Sequence, residues 1–250
     1  MGLWAGCHGA DAIRPIAGTL VRVVECQEQI ATNQLVDTLA EQSLLEQLLE
    51  DTKPPRPAGC ARLHYLLATP FRYPPLLNGS RFGTRHTPSL FYGALTVPIA
   101  LVEAAYYRFL FWAGMSTPPP AMKLTTQHTV FGADYSTERG IQLQRPPFDA
   151  HQASLTDPAS YTQTQTLGAD MANAGVAGFE YVSARNPGGG LNVALLTPEA
   201  LISDGPLYQQ LWFCETRSDE VCFYSGESNA VHVFSLSSYF VKGVLPEPAP

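Results

Sequence analysis

Residues 178–195 read GFEYVSARNPGGGLNVAL. An aromatic and β-branched segment runs into Ser183, Arg185 and Asn186, then Gly188-Gly189-Gly190, then a second apolar run. One reading is two strands around a glycine loop. The other is one wall of a pocket for a phosphate-bearing ligand. The loop is not a Rossmann fingerprint, because NPGGGLN lacks the G-x-G-x-x-G spacing and leads into a strand rather than a helix. It is not a P-loop either. Ser183 lacks the G-x-S-x-G elbow, which argues against a hydrolase nucleophile. A serine hydroxyl beside glycine amides suits contact with a ligand instead. The glycines then let the chain turn tightly, so that the hydroxyl faces that ligand.

The rest of the chain narrows the choice. It has 250 residues, 45% apolar and 15% charged, enough for one large domain with a short appendage. The net charge is −7 with a pI near 5.3. Such a chain is a poor binder of bulk nucleic acid, though a single nucleotide needs only a few placed arginines. The five cysteines are odd in number and no pair is spaced C-x-x-C. A disulfide framework or a zinc site is not expected, and a reducing cytoplasm is the expected setting. The six histidines are scattered without metal-site spacing, so no metal is expected. The first residues carry neither a secretory pattern nor a myristoylation pattern. Residues 90–115 are apolar enough to suggest a membrane span, but Pro98, Glu103 and Arg108 interrupt them. A buried helix is the better reading, and no membrane contact is expected.

Residues 19–50 lack Pro and Gly, and leucines recur there at roughly helical spacing. They predict one long helix or two short ones, stopped by Pro54, Pro55 and Pro57. The expected division is a helical N-terminal appendage over 1–56, a main domain over 57–244 and a disordered tail over 245–250. Within the main domain ARLHYLL has strand character, as does SLFYGAL. Thr96 is the expected N-cap of a helix running to about Ala113, with Pro98 in its first turn. MKLTTQHTVFGADY reads as strand then loop. A further helix spans about Ser160 to Ala174, and Gly175 ends it. Several β segments follow Leu207. Helices and strands mix without βαβα alternation, which predicts an α+β fold with a largely antiparallel or split sheet flanked by helices.

Glu103 sits in an otherwise apolar helix, with Tyr107 four residues on along the same side. A carboxylate there must be paired or must open onto a cleft. A structural salt bridge and a catalytic or ligand-binding carboxylate are the two readings. Arg72, Arg81 and Arg85 cluster in loops beside Tyr73, Phe82 and Tyr92, a set suited to a ligand with both phosphate and a flat ring. A solvated loop is the alternative.

These residues resemble a known family. The arginine in NGSRFG, the glutamate in PIALVEAAYYR and the serine in YVSARNPGGGLNVAL follow the Arg, Glu, Ser order after which the RES domain family is named. The resemblance covers roughly residues 58–240. It implies a fold similar to ADP-ribosyltransferases. It implies a toxin of a bacterial type II toxin–antitoxin module, partnered by an Xre-type antitoxin, that cleaves the nicotinamide–ribose bond of NAD⁺ with water or phosphate as acceptor. NAD⁺ is then a substrate, and no cofactor is needed. Carried over, the catalytic residues are Arg81, Glu103 and Ser183, with Tyr92 at the nicotinamide end. Arg62 and Arg72 compete for the role of a second ligand arginine. Tyr73, Arg185 and Asn192 are further candidate ligand contacts. A protein ADP-ribosyltransferase and a nucleotide-binding protein without turnover would use the same pocket, and a homo-oligomer is compatible with each.

Overall fold

The computed structural model describes residues 2–26, 36–75 and 77–247. In chain order these form α1 (Leu3–Gly6), β1 (Arg14–Glu25), α2 (Leu39–Thr52), α3 (Tyr65–Arg72), β2 (Phe91–Ala94), α4 (Val97–Ala113) and β3 (Leu124–Gln142). There follow α5 (Gln152–Leu155), α6 (Thr162–Asn173), β4 (Gly178–Val182), β5 (Leu191–Leu195), β6 (Tyr208–Thr216), β7 (Glu220–Tyr224) and β8 (Val231–Ser235). The fold is mixed α+β. Its strands make one sheet in the order β1-β2-β5-β4-β3-β6-β7-β8.

β3 organises that sheet. One of its edges carries β1, paired from Arg14↔Gly140 to Glu25↔His128. Its other edge is shared. Residues 124–132 pair with β6, and residues 140–142 pair with β4, the parallel pair of the sheet. The sheet therefore splits along that edge, with a bridge from Tyr135 to Leu201 between the two partners. β1 also meets β2 at Val21↔Ala94. The chain of pairings β1-β2-β5-β4-β3 thus closes on itself.

The helix expected across 19–50 begins only at Leu39, and the preceding described stretch is a strand. Thr19, Val21, Val23 and Val24 are β-branched and gain little from a helix. Pairing with β3 satisfies the backbone of β1 along its length and buries Ile16, Leu20 and Val21. The first fifty-six residues are therefore not a helical appendage: β1 is part of the central sheet. Residues 27–35, also within the expected helix, lie outside the described residues. The helix α2 itself starts at a capping box, in which Thr38 accepts from Glu41 N–H and Glu41 reaches back to Thr38 N–H.

ARLHYLL is a helix start rather than a strand. The His64 side chain accepts from Leu66 N–H at 3.3 Å, and α3 then buries Leu66, Leu67, Ala68 and Phe71. A short apolar run fits either period, and here the cap decides. α4 begins after Thr96 with Pro98 in its first turn and packs Leu101, Ala105, Tyr106 and Phe109 against β6 and β7. No helix among the described residues is long and apolar enough to cross a membrane. In the expected tail, Leu245 packs against this same core and the Pro246 carbonyl accepts from Tyr106 Oη at 2.5 Å. Residues 248–250 lie outside the described residues.

One buried histidine belongs to the sheet. His128 on β3 has Nε2 2.9 Å from Thr126 Oγ1, and its ring meets Phe223 edge-on. Burial, with the Arg108 charge second, pulls its pKa down to about 4.

Candidate active site

Where α4 crosses the closed ring of strands there is a cavity of about 300 Å³. α4 lines it with Ala100, Glu103, Ala104 and Tyr107. β1 contributes Arg22, β2 Tyr92, β4 Tyr181 and β5 Asn192. The loop before β2 adds Ser80 and Arg81, and Tyr161 and Arg185 complete the wall. Three guanidinium groups face one carboxylate, so an acidic protein holds a locally cationic pocket. That charge suits an anionic ligand.

Among the described residues Glu103 is in no salt bridge. Its Oε1 accepts from Ser183 Oγ at 2.6 Å and from Asn192 Nδ2 at 2.7 Å. Among the described residues Oε2 accepts no hydrogen bond. The carboxylate is thus anchored by one oxygen only. Asn192 faces Tyr181 in the β4–β5 register, and its Oδ1 is buried without a partner.

Ser183 does not turn its hydroxyl to the cavity, as a ligand contact would need. The oxygen accepts from the N–H groups of Arg185 and Asn186, each at 3.2 Å, and its proton goes to Glu103. The glycine loop serves this arrangement. Ser183 N–H donates to the Gly190 carbonyl at 2.7 Å, and Gly189 turns the chain at φ +67°. Gly190 packs closely for another reason: a Cβ there would sit 2.7 Å from Ile99 Cγ1 and closer still to Cδ1, so the Ile99 side chain would have to move. The loop lies directly against the first turn of α4, the helix that carries Glu103.

Arg81 lies over the Tyr161 ring at 4.6 Å. Its Nη1 donates to the Asp157 carbonyl at 2.9 Å, while Nη2 is buried without a partner. Arg185 is more fully used. Its guanidinium lies 3.6 Å from the Tyr106 ring centre and donates to the Pro158 carbonyl and to Tyr161 Oη. Arg185 therefore braces the wall more than it offers donors to a ligand. Tyr92 Oη pairs with Ser80 Oγ at 2.8 Å and accepts from Phe82 N–H at 3.2 Å, and burial pushes its phenol up to about 12.

Neither Arg62 nor Arg72 reaches the cavity. Arg62 pairs with Asp204 on the surface and donates to the Leu201 carbonyl. Arg72 donates to the Pro54 carbonyl and pairs with Glu50 at 2.6 Å. The additional arginine in the cavity is Arg22, whose Nη1 donates to the Tyr92 carbonyl and whose Nε is buried without a partner. Burial pulls its pKa from 12.5 to about 10. Sequence reasoning missed it by placing residue 22 in a helix. The available signal was a lone arginine among β-branched residues in TLVRVVE. Tyr73 lines a neighbouring cavity rather than this one.

A family model described as RES domain matches residues 54–212. Arg22 lies outside that span. No curated protein matches the chain. Among solved structures, a chain described as "Crystal structure of the M.tuberculosis MbcT-MbcA toxin-antitoxin complex" is similar at 13% identity, covering 80% of this chain and 91% of that one with a TM-score of 0.45.

Proposed function

The chain belongs to the RES domain family, and on that premise we propose that it is an NAD⁺-degrading toxin held by an Xre-type antitoxin. It breaks the nicotinamide–ribose bond with water or phosphate as acceptor. The observation that carries this reading is the state of Glu103: Oε1 held by Ser183 and Asn192, Oε2 unheld, in a cavity lined by arginines.

The chemistry asks for little more. When the bond breaks, both electrons leave with nicotinamide, which departs neutral, so no proton has to reach the leaving group. Positive charge develops on the ribose. A fixed carboxylate beside it stabilises that charge and can accept hydrogen bonds from the ribose hydroxyls. Water then adds to the ribose carbon and loses a proton, giving ADP-ribose. Phosphate in its place gives the phosphorylated sugar. Arg22 and Arg81 each keep a buried, unpartnered N–H group and are suited to the pyrophosphate. Tyr92 and Tyr181 bring aromatic rings to the same cavity and limit the space for water.

Proton NMR of NAD⁺ with the antitoxin-free protein, with and without phosphate, tests the proposal. Free nicotinamide is expected with phosphate present; release without phosphate as well identifies water as an acceptor, and release confined to the phosphate sample identifies phosphate. No nicotinamide release overturns the reading. Label transferred from NAD⁺ to a protein would make the chain a protein ADP-ribosyltransferase instead.

A further inference from the structure

A second cavity, about 400 Å³, abuts the first. The two share Arg22, Ser80, Tyr92 and Tyr107 on their walls. The remaining walls come mostly from α3 and the loop after it, including Tyr65, Thr69, Tyr73 and Pro74. Tyr65 and Tyr73 are each about half exposed there, at 48% and 40%. Each has a local contact: a ring neighbour for Tyr65 and a main-chain hydrogen bond for Tyr73. The Tyr65 ring packs on His64 at 4.5 Å, and Ser89 Oγ donates to the Tyr73 carbonyl at 2.5 Å.

A dinucleotide consists of two nucleosides joined by a pyrophosphate, so its binding site needs two ring pockets flanking a cation. The geometry points to that division. The first cavity holds the carboxylate suited to a reacting ribose. Arg22 stands on the shared wall, with its buried Nε unpartnered. The second cavity supplies tyrosine and proline surface, on which a flat base stacks. We infer that the second cavity takes the adenosine half of the dinucleotide, an inference that rests on the NAD⁺ reading above.

The charges refine the ligand class. Among the described residues lining the second cavity, Arg22 and Glu25 alone are charged. Glu25 already pairs with Arg108 Nη1 at 3.1 Å, and the described lining residues include no lysine and no second arginine. Once Arg22 is engaged by the pyrophosphate, no other cation among the described lining residues remains to receive a further phosphate. The site therefore accepts an adenosine with a free 2′-hydroxyl and disfavours one carrying a 2′-phosphate.

The test compares NAD⁺ with nicotinamide mononucleotide, which has the reacting half and no adenosine, in the full chain. Thr69→Trp fills the second cavity from an exposed position on α3, and Tyr73→Ala removes one of its walls. In each variant the ratio of kcat/KM for NAD⁺ over the mononucleotide is expected to fall about tenfold, the size of one lost base–aromatic stack. NADP⁺ is expected to be used about tenfold less well than NAD⁺ by the unaltered protein. An unchanged ratio in both variants, with NAD⁺ still cleaved, overturns the adenosine site alone. No cleavage of NAD⁺ by the unaltered protein overturns the NAD⁺ reading and this inference with it. Equal use of NADP⁺ overturns the exclusion of the 2′-phosphate.

Discussion

Glu103 and Ser183, eighty residues apart, meet at 2.6 Å between Oε1 and Oγ. The serine oxygen is already filled by two backbone N–H groups, so its proton has a fixed direction, toward the carboxylate. Ser183 is thereby a positioning residue, and Glu103 the group it positions.

Replacing Glu103 by Gln keeps the size and removes the negative charge. The proposed mechanism expects kcat for nicotinamide release to fall on the order of a hundredfold or more, with a melting temperature close to that of the unaltered protein. Full activity in Glu103→Gln would exclude a carboxylate role.

Ser183→Ala removes one of two donors to Oε1 and strips an acceptor from two backbone N–H groups. A stability loss of about 1–2 kcal/mol is expected from the unpaired groups. The accompanying fall in kcat should be smaller than for Glu103→Gln, because Asn192 still holds the carboxylate. Denaturant unfolding and steady-state kinetics on the same sample check both parts.

Arg22 and Arg62 separate the cavity from the surface. Arg22→Ala is expected to lower kcat/KM for NAD⁺ by roughly tenfold to a hundredfold, the cost of a charge-assisted contact. Arg62→Ala removes a half-exposed ion pair of the kind that contributes at most about 1 kcal/mol, and should leave kcat/KM within about twofold. The reverse order of effects would return the second ligand arginine to Arg62.

Gly190→Ala drives a methyl group into Ile99 at the start of α4. Either the half-buried Ile99 side chain turns aside or the loop and helix part, and the second outcome moves Glu103 relative to Ser183. Activity is expected to fall at least about tenfold. Ile99→Ala removes the clashing atoms, so the double variant should recover much of the loss. A double-mutant cycle measures that coupling, and additivity would show that the contact does not matter.

His128 gives the fold a pH dependence of known sign. Its folded pKa, about 4, lies below the ordinary 6.5. Between those values the unfolded chain takes a proton that the folded chain refuses. Stability is therefore fully present above pH 6.5 and declines as pH falls toward 4, by up to roughly 3 kcal/mol from this one group. Unfolding free energies measured across that range should slope less in His128→Gln than in the unaltered protein.

Much of the site is legible in the sequence because punctuation frames it. Pro98 and Gly114 bracket α4, the glycine loop separates β4 from β5, and Gly175 follows α6. An ionisable Glu103 in an apolar helix stands out for the same reason. Arg22 carried only the weak signal of an arginine among β-branched residues, and its place in the cavity was not legible. Its strand owes its conformation to β3, more than a hundred residues away, and a local window of Pro-free, Gly-free sequence carries no trace of that partner. The opposite role of Arg185, a brace rather than a free donor, depends on Tyr106 and Tyr161 and is equally invisible along the chain. For α3, the deciding signal was a single cap at His64.

The placement of β1 also bears on how the protein can be cut. A fragment that begins at residue 54, where the family match begins, discards a strand that covers β3 from residue 128 to residue 140. It would expose an open row of amide and carbonyl groups across the middle of the sheet, an invitation to self-association. It would also discard a cationic group of the cavity. The matched span thus omits a strand of the central sheet, and expression trials that start at its boundary are expected to yield aggregate.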